Sequence, residues 1–263
     1  MLEKLEDGGR VVPGEETSPY ERGLYLRHLF AYEWASSYLE PSYKALELGC
    51  GEGYGSALLA RGAARLVATD SDPLAISHAA IKYAAPNLEF IRHEDGPLPF
   101  PDFSFDRVFS FQVIEHIPDD AAFASDAARV LRKGGMLILT TPNRRFRLKP
   151  GDEPWYKFHI REYSKDDLEQ LLKPFFSSVK VDFINSPPDI FEMELKVART
   201  ARLIQKLDPL GLRDKVPYAL KQLVFKLMGR AKASAGPVTA DTSAFSFSGE
   251  EKCGLDLAAV CIK

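Results

Sequence analysis

Apolar residues recur at helical spacing over residues 24 to 39 (LYLRHLFAYEWASSYL), and Pro41 ends the pattern, which predicts an N-terminal helix. From Lys44 onward the period changes. Short apolar runs predict strands at 44–48, 65–69, 88–92, 106–111 and 136–141, and amphipathic segments between them predict helices at 54–61, 73–84 and 119–132. Strands alternating with helices imply right-handed crossovers and a mostly parallel sheet covered on both faces. Ser164, with Asp167 three positions on, caps a further helix (DDLEQLL), and a strand follows at 178–184. A long stretch then separates this strand from a last apolar one, Leu255 to Ile262. It predicts two amphipathic helices, near 190–207 and 216–229, split by Asp208-Pro209-Leu210-Gly211, and then a flexible loop over 233–252, rich in Ala, Ser, Gly and Thr. The expected organisation is an N-terminal helical segment (1–43), an α/β core (44–185 with 254–263) and a helical insertion (186–253).

With 45% hydrophobic residues in 263, the chain has the apolar content for a large core and lies far from the composition of disordered proteins. Its net charge of −3 excludes a surface given over wholly to nucleic acid. That total conceals a division. Residues 191–232 hold ten Lys or Arg against four acids, an excess of +6, so the remainder sums to −9. The insertion either shows solvated basic faces or attracts an anionic partner, such as a membrane surface bearing a lipid-linked sugar, a nucleotide-sugar or RNA. The three cysteines, Cys50, Cys253 and Cys261, fit neither a disulfide framework nor a CxxC zinc site, and no apolar stretch approaches a membrane span. A cytoplasmic location is expected.

The segment Ala45 to Gly55 (ALELGCGEGYG) runs from a strand into a glycine-rich turn that opens a helix, the place where open α/β sheets bind ligands. A dinucleotide fingerprint needs a third glycine at 54, which is tyrosine, and no Gly-Lys-Ser/Thr follows to make a P-loop. Glu47, two positions before the first glycine, would repel a pyrophosphate and attract a cation. A sulfonium cofactor with an amino acid tail suits such a site. Asp70, about twenty residues after the first glycine, stands where a carboxylate accepts both ribose hydroxyls of an adenosine.

The motifs LELGCGEGYGS, VATDSD, LPFPDFSFDRVFSFQVIEHIPD and RVLRKGGMLILTTPN together resemble class I S-adenosylmethionine-dependent methyltransferases of the UbiE-like type, over residues 25–185 and again in the last strand. The resemblance implies a Rossmann-like seven-stranded sheet of order 3-2-1-4-5-7-6, last strand antiparallel, with S-adenosyl-L-methionine as cofactor and S-adenosyl-L-homocysteine as product. It implies that Glu47, Gly49, Gly51 and Gly55 line the methionine side, that Asp70 holds the ribose with Ser71 beside it, and that Glu94, Asp95 or Gly96 meets the adenine. Phe111 would pass under the cofactor, and Tyr32 completes the cofactor set.

Methyl transfer to an alcohol needs a group to take the hydroxyl proton, and histidine is the usual choice. His116, in the Glu115-His116 pair past the fourth strand, and His159, after the fifth, both fall at the carboxyl edge of the sheet. Either can serve as base with Glu115 orienting it, or the Glu-His pair simply organises its loop. Ubiquinone-pathway O-methyltransferases and plant small-RNA 2′-O-methyltransferases hold a divalent cation with a Glu-x-x-Glu-His segment. Gln112 here replaces the first Glu, so no metal is expected. The GGRVVPGEET, TTPN, HIREYS and LDLAAVCIK segments are similar to bacterial methyltransferases of polysaccharide and O-antigen assembly, which implies a sugar or other small-molecule hydroxyl as acceptor. Quinone, lipid or RNA acceptors, or cofactor binding without catalysis, are the alternatives, and nucleic acid is the least expected partner.

Overall fold

The computed structural model describes residues 12–14, 16, 18–94, 96–149, 151–154, 156, 158–207, 238, 240–250 and 253–263. The strands are β1 (Lys44–Leu48), β2 (Arg65–Asp70), β3 (Leu88–Arg92), β4 (Phe105–Phe111), β5 (Leu131–Pro142), β6 (Ser178–Asn185), β7 (Ser246–Ser248) and β8 (Gly254–Ile262). They form one sheet in the order β3-β2-β1-β4-β5-β8-β6-β7. The first five are parallel; β8 runs antiparallel to β5 and β6. The expected seven-strand order is present, with β7 added at the outer edge.

Strand β7 corrects, within the described residues 238 and 240–250, the expectation of a flexible loop over 233–252. Its sequence, Phe245-Ser246-Phe247-Ser248, alternates aromatic and polar residues, so both phenylalanines turn to one face. There Phe245 and Phe247 lie 5.4 and 5.1 Å from Phe30, and Phe247 lies 4.7 Å from Trp34. Aromatic burial fixes the segment, and pairing with β6 covers the sheet edge.

The helices are α1 (Pro19–Ser36), α2 (Tyr54–Ala60), α3 (Pro73–Lys82), α4 (Asp120–Val130), α5 (Arg144–Arg147), α6 (Lys165–Leu172) and α7 (Pro188–Leu207). Helix α1 begins five residues before the apolar periodicity does, because Ser18 accepts from the Glu21 amide and Pro19 supplies the first helical φ. The capping box of α6 forms as expected from Ser164 and Asp167. Alternate strand residues divide the core. Leu46, Val108 and Leu137 pack with α4 and α6, whereas Ala45, Phe109 and Ile138 pack with α1 and α2.

Helix α7 occupies the first predicted helix of the insertion; the second, 216–229, falls outside the described residues. Gly23 lets α7 approach α1 closely, since a Cβ there would stand 3.1 Å from the Met193 methyl. Beside it, the buried Arg27 meets Glu194 of α7 at 3.2 Å and Asp256 of β8 at 2.9 Å, the latter by charge and not by a well-aligned hydrogen bond. No described helix is long and apolar enough to cross a membrane.

Candidate active site

The glycine turn after β1 is pinned to β2, because the Gly49 and Cys50 amides both donate to the Thr69 carbonyl at 2.8 Å. Gly49 has φ +76°, and a Cβ there would stand 2.3 Å from Val113 Cγ2, so only glycine lets the turn meet the chain leaving β4. Asp70 ends β2 with one oxygen accepting from the Gly51 amide at 2.8 Å and the other from the Asp72 amide at 3.0 Å. Each oxygen keeps a second lone pair. A cavity of about 1060 Å³ opens at this carboxyl edge, and Gly49, Gly51, Asp70, Ser71, Glu94 and Gly96 line one end of it. Asp95 falls outside the described residues.

Glu47 and Gly55, expected on the methionine side of the cofactor, are not among the residues that line this cavity. Their side of β1 faces α1. Glu47 is wholly buried, with one oxygen accepting from the Tyr32 hydroxyl at 2.7 Å and the other from the Ser56 hydroxyl at 2.6 Å. Burial lifts its carboxyl to about 7, against the two hydrogen bonds that lower it. Gly55 leaves room for the Tyr32 ring, which a Cβ would meet at 2.0 Å. Both contact Tyr32, which lines the cavity 4.3 Å from the Phe111 ring.

The other end of the cavity is built where the chain leaves β4. Gln112 takes φ +57°, a strained value for a residue with a Cβ, and turns the chain into a short 3-10 turn, Ile114–His116. The Glu115 carbonyl then accepts from the Ile160 amide at 2.9 Å, which draws the 158–161 segment onto the turn. His116 and His159 thereby meet with ring centroids 4.9 Å apart. His116 Nδ1 faces the Phe158 carbonyl at 2.8 Å, and His159 Nδ1 faces Glu162 Oε1 at 2.7 Å. Burial lowers both imidazoles, His159 to about 4 despite its bond to Glu162, so both are neutral near pH 7.

Glu115 is bonded to neither histidine. Its Oε2 accepts from the Thr141 hydroxyl at 3.0 Å, while Oε1 is buried without a partner. The orienting role expected of Glu115 therefore falls elsewhere. Burial pushes its carboxyl up to about 8, so the folded chain favours the neutral acid. A folded pKa above the unfolded value gives stability that is complete below about pH 4.5 and lost as pH rises through about 8. Glu115→Gln is spared that loss. Its melting temperature, relative to the parent chain, should climb between pH 5 and pH 8; a pH-independent difference would contradict this.

Several cavity residues escaped the sequence reading. Tyr20, Leu24, Arg27 and His28 line it from α1, recurring at helical spacing with Tyr32, while Arg147 and Tyr156 close the far wall. The signal was the i, i+4 series 20, 24, 28, 32, which reads equally well as ordinary core periodicity. Glu115, His116 and His159 each offer an atom within 4.8 Å of the others, a spacing compatible with a cation. A sulfonium nucleoside fits the opposite end, where Gly51 leaves open space and Asp70 offers a carboxylate; Glu52 and Glu94 also line that end but pair with His78 and Arg92.

Residues 46–139 match the methyltransferase domain family. Among curated proteins, the chain is 42% identical over 169 residues to a probable S-adenosylmethionine-dependent methyltransferase of Mycobacterium tuberculosis, covering 62% of this chain and 59% of that one. It is 33% identical over 143 residues to the fatty-acid O-methyltransferase of Mycolicibacterium smegmatis, covering 54% and 51%. The chain thus spans less than two thirds of the length of these relatives. A solved S-adenosylmethionine-dependent methyltransferase from Mesorhizobium loti shares the fold with a TM-score of 0.53, at 13% identity over 88% of this chain and 98% of that one. Residues 46–139 therefore carry the match to a methyltransferase domain, and S-adenosylmethionine is the cofactor named for the mycobacterial relative.

Proposed function

We propose that this chain, through the methyltransferase domain it carries, transfers the methyl group of S-adenosylmethionine to a hydroxyl oxygen of a small polar acceptor, with a glycan-like acceptor as the first choice. The observation that carries the reading is the pairing of two neutral histidines on the cavity wall across from the glycine turn. S-adenosylmethionine, when bound, supplies an activated methyl carbon. Gly49 and Gly51 would receive its amino acid end, Asp70 and Ser71 its ribose, and Glu94 to Gly96 its adenine. The chain aligns the acceptor and excludes water, which is most of what an in-line displacement requires. Neutral imidazole beside the acceptor takes up the hydroxyl proton.

The acceptor end offers polar groups, since Tyr20, Arg27, His28, Arg147 and Tyr156 line the same cavity as His116 and His159. That lining favours a hydroxyl-rich acceptor over a bare acyl chain. A lipid acceptor is the second reading, favoured by the fatty-acid relative and by Phe158 and Ile160, exposed beside His159. The deciding experiment measures S-adenosylhomocysteine release with lipid-linked sugars, nucleotide-sugars, quinols and free fatty acids. Turnover on sugar hydroxyls is expected; turnover confined to fatty acids would replace this reading with the second.

The proposal includes a cytoplasmic enzyme, in keeping with three unpaired cysteines, and peripheral contact with an anionic membrane through 191–232. Sedimentation with anionic vesicles should be salt-sensitive. No binding at low salt would remove the membrane contact.

A further inference from the structure

Glu162 lies outside every motif that the cofactor site uses, yet its side chain has no solvent exposure and one oxygen carries two partners. Oε1 accepts from His159 Nδ1 at 2.7 Å and from Arg147 Nε at 2.8 Å. Burial alone would raise this carboxyl, but Arg147 and the His159 bond outweigh it and hold it below the ordinary carboxylate range. An ionised carboxylate has no proton to give. His159 Nδ1 must therefore carry the hydrogen, which leaves the lone pair on Nε2.

The ring that bears this lone pair is also held in place. Tyr156 and His116 meet His159 edge-on, at centroid separations of 4.7 and 4.9 Å and interplanar angles of 82° and 76°. Three contacts, one of them charged, thus set its tautomer and its orientation. His116 differs in one respect. Its Nδ1 hydrogen meets the neutral Phe158 carbonyl, so a cation formed on His116 would have a dipole behind it where His159 has a full negative charge.

We infer that Glu162 is the positioning residue of the site, fixing the His159 tautomer and making His159, not His116, the group that accepts the acceptor's proton. This rests on the reading of methyl transfer to oxygen. As the acceptor oxygen bonds to the methyl carbon and the carbon–sulfur electron pair returns to sulfur, the hydroxyl proton passes to His159 Nε2. The imidazolium is stabilised by Glu162 until it releases the proton to water. Arg147 opposes this cation but ties down the carboxylate that supports it, and for His159 the Glu162 bond outweighs the Arg147 repulsion.

The first test needs no acceptor. Long-range proton–nitrogen NMR of the full chain labelled at histidine, with rings assigned from His116→Gln and His159→Gln, reads each tautomer directly. His159 should be protonated at Nδ1 and bare at Nε2, and Glu162→Leu should shift it to a mixed tautomer while His116 keeps its own. A parent His159 protonated at Nε2 overturns the inference even if Glu162→Leu fails to fold, and an unaltered tautomer in a folded Glu162→Leu chain does the same.

The second test uses whichever hydroxyl acceptor releases S-adenosylhomocysteine. His159→Gln should lower kcat about 10²- to 10⁴-fold. The double variant Glu162→Gln/His159→Gln should lose no more than His159→Gln, since both residues act through one imidazole. Losses that multiply, or full activity in His159→Gln, overturn it. An expected tautomer pattern without turnover on any hydroxyl would strike the methyl-transfer reading and, with it, the role of His159 as base.

Discussion

Arg27→Met should lower the melting temperature of the chain by roughly 6–20 °C at pH 8, from a loss of about 3–5 kcal/mol when one partner of a buried ion pair is removed. The arginine lies between Glu194 and Asp256, all three buried and drawn from α1, α7 and β8. Methionine fills much of the volume and leaves the two carboxylates without their ion-pair partner, with Arg147 as a cation that still acts on both. They can escape only by taking protons. Asp256 is already raised to about 6 by burial, against the lowering effect of Arg27, and removing that cation lifts it further. A carboxyl raised in the folded state gives stability that is lost as pH rises, so the deficit of Arg27→Met should be markedly smaller at pH 5 than at pH 8. Calorimetry at both values decides it, and an equal deficit at the two would show that lost packing, not stranded charge, is the cause.

Gly55→Ala should abolish measurable cofactor binding. The added Cβ would stand 2.0, 2.2 and 2.3 Å from three ring carbons of Tyr32, closer than any packed pair tolerates. The ring has nowhere to retreat. Its hydroxyl is held by Glu47, and its faces meet Phe111 at 4.3 Å and Tyr54 at 5.6 Å. The strain reaches or exceeds the roughly 1–3 kcal/mol usual for overpacking, and it falls on the wall between cavity and glycine turn. Titration calorimetry with S-adenosylmethionine should show at least a 100-fold weaker complex, and Tyr32→Ala/Gly55→Ala should recover most of the lost stability. Unchanged affinity in Gly55→Ala would mean that Tyr32 has no part in the site.

The sheet was legible because each strand is a compact apolar run and each crossover an amphipathic one, and local period alone determines both. Glu47 was harder. Its type and position suggested a cation partner, but a strand residue faces one side of the sheet, and which helix covers that side is a long-range fact. Tyr32 and Ser56 claim both of its oxygens. The histidines were found from residue type, whereas their partner was not. Glu162 follows His159 by three residues, yet nothing local distinguishes it from Glu115, which adjoins His116 in sequence and turns instead to Thr141. Strand β7 was missed because serine-rich composition outweighed a two-residue aromatic alternation.

Tyr32 belongs to α1, and His159 to the segment beyond β5, whereas the matched methyltransferase segment ends at residue 139. That segment holds the glycine turn, Asp70 and the Ile114–His116 turn of the cavity, but neither α1 nor the 147–159 wall. An excised 46–139 fragment would keep His116 and lose His159, Glu162 and the wall that α1 supplies. Grafting residues 147–163 from a relative with a known acceptor should move substrate preference while leaving cofactor affinity in place, which makes the acceptor a property of what surrounds the matched segment and not of that segment alone.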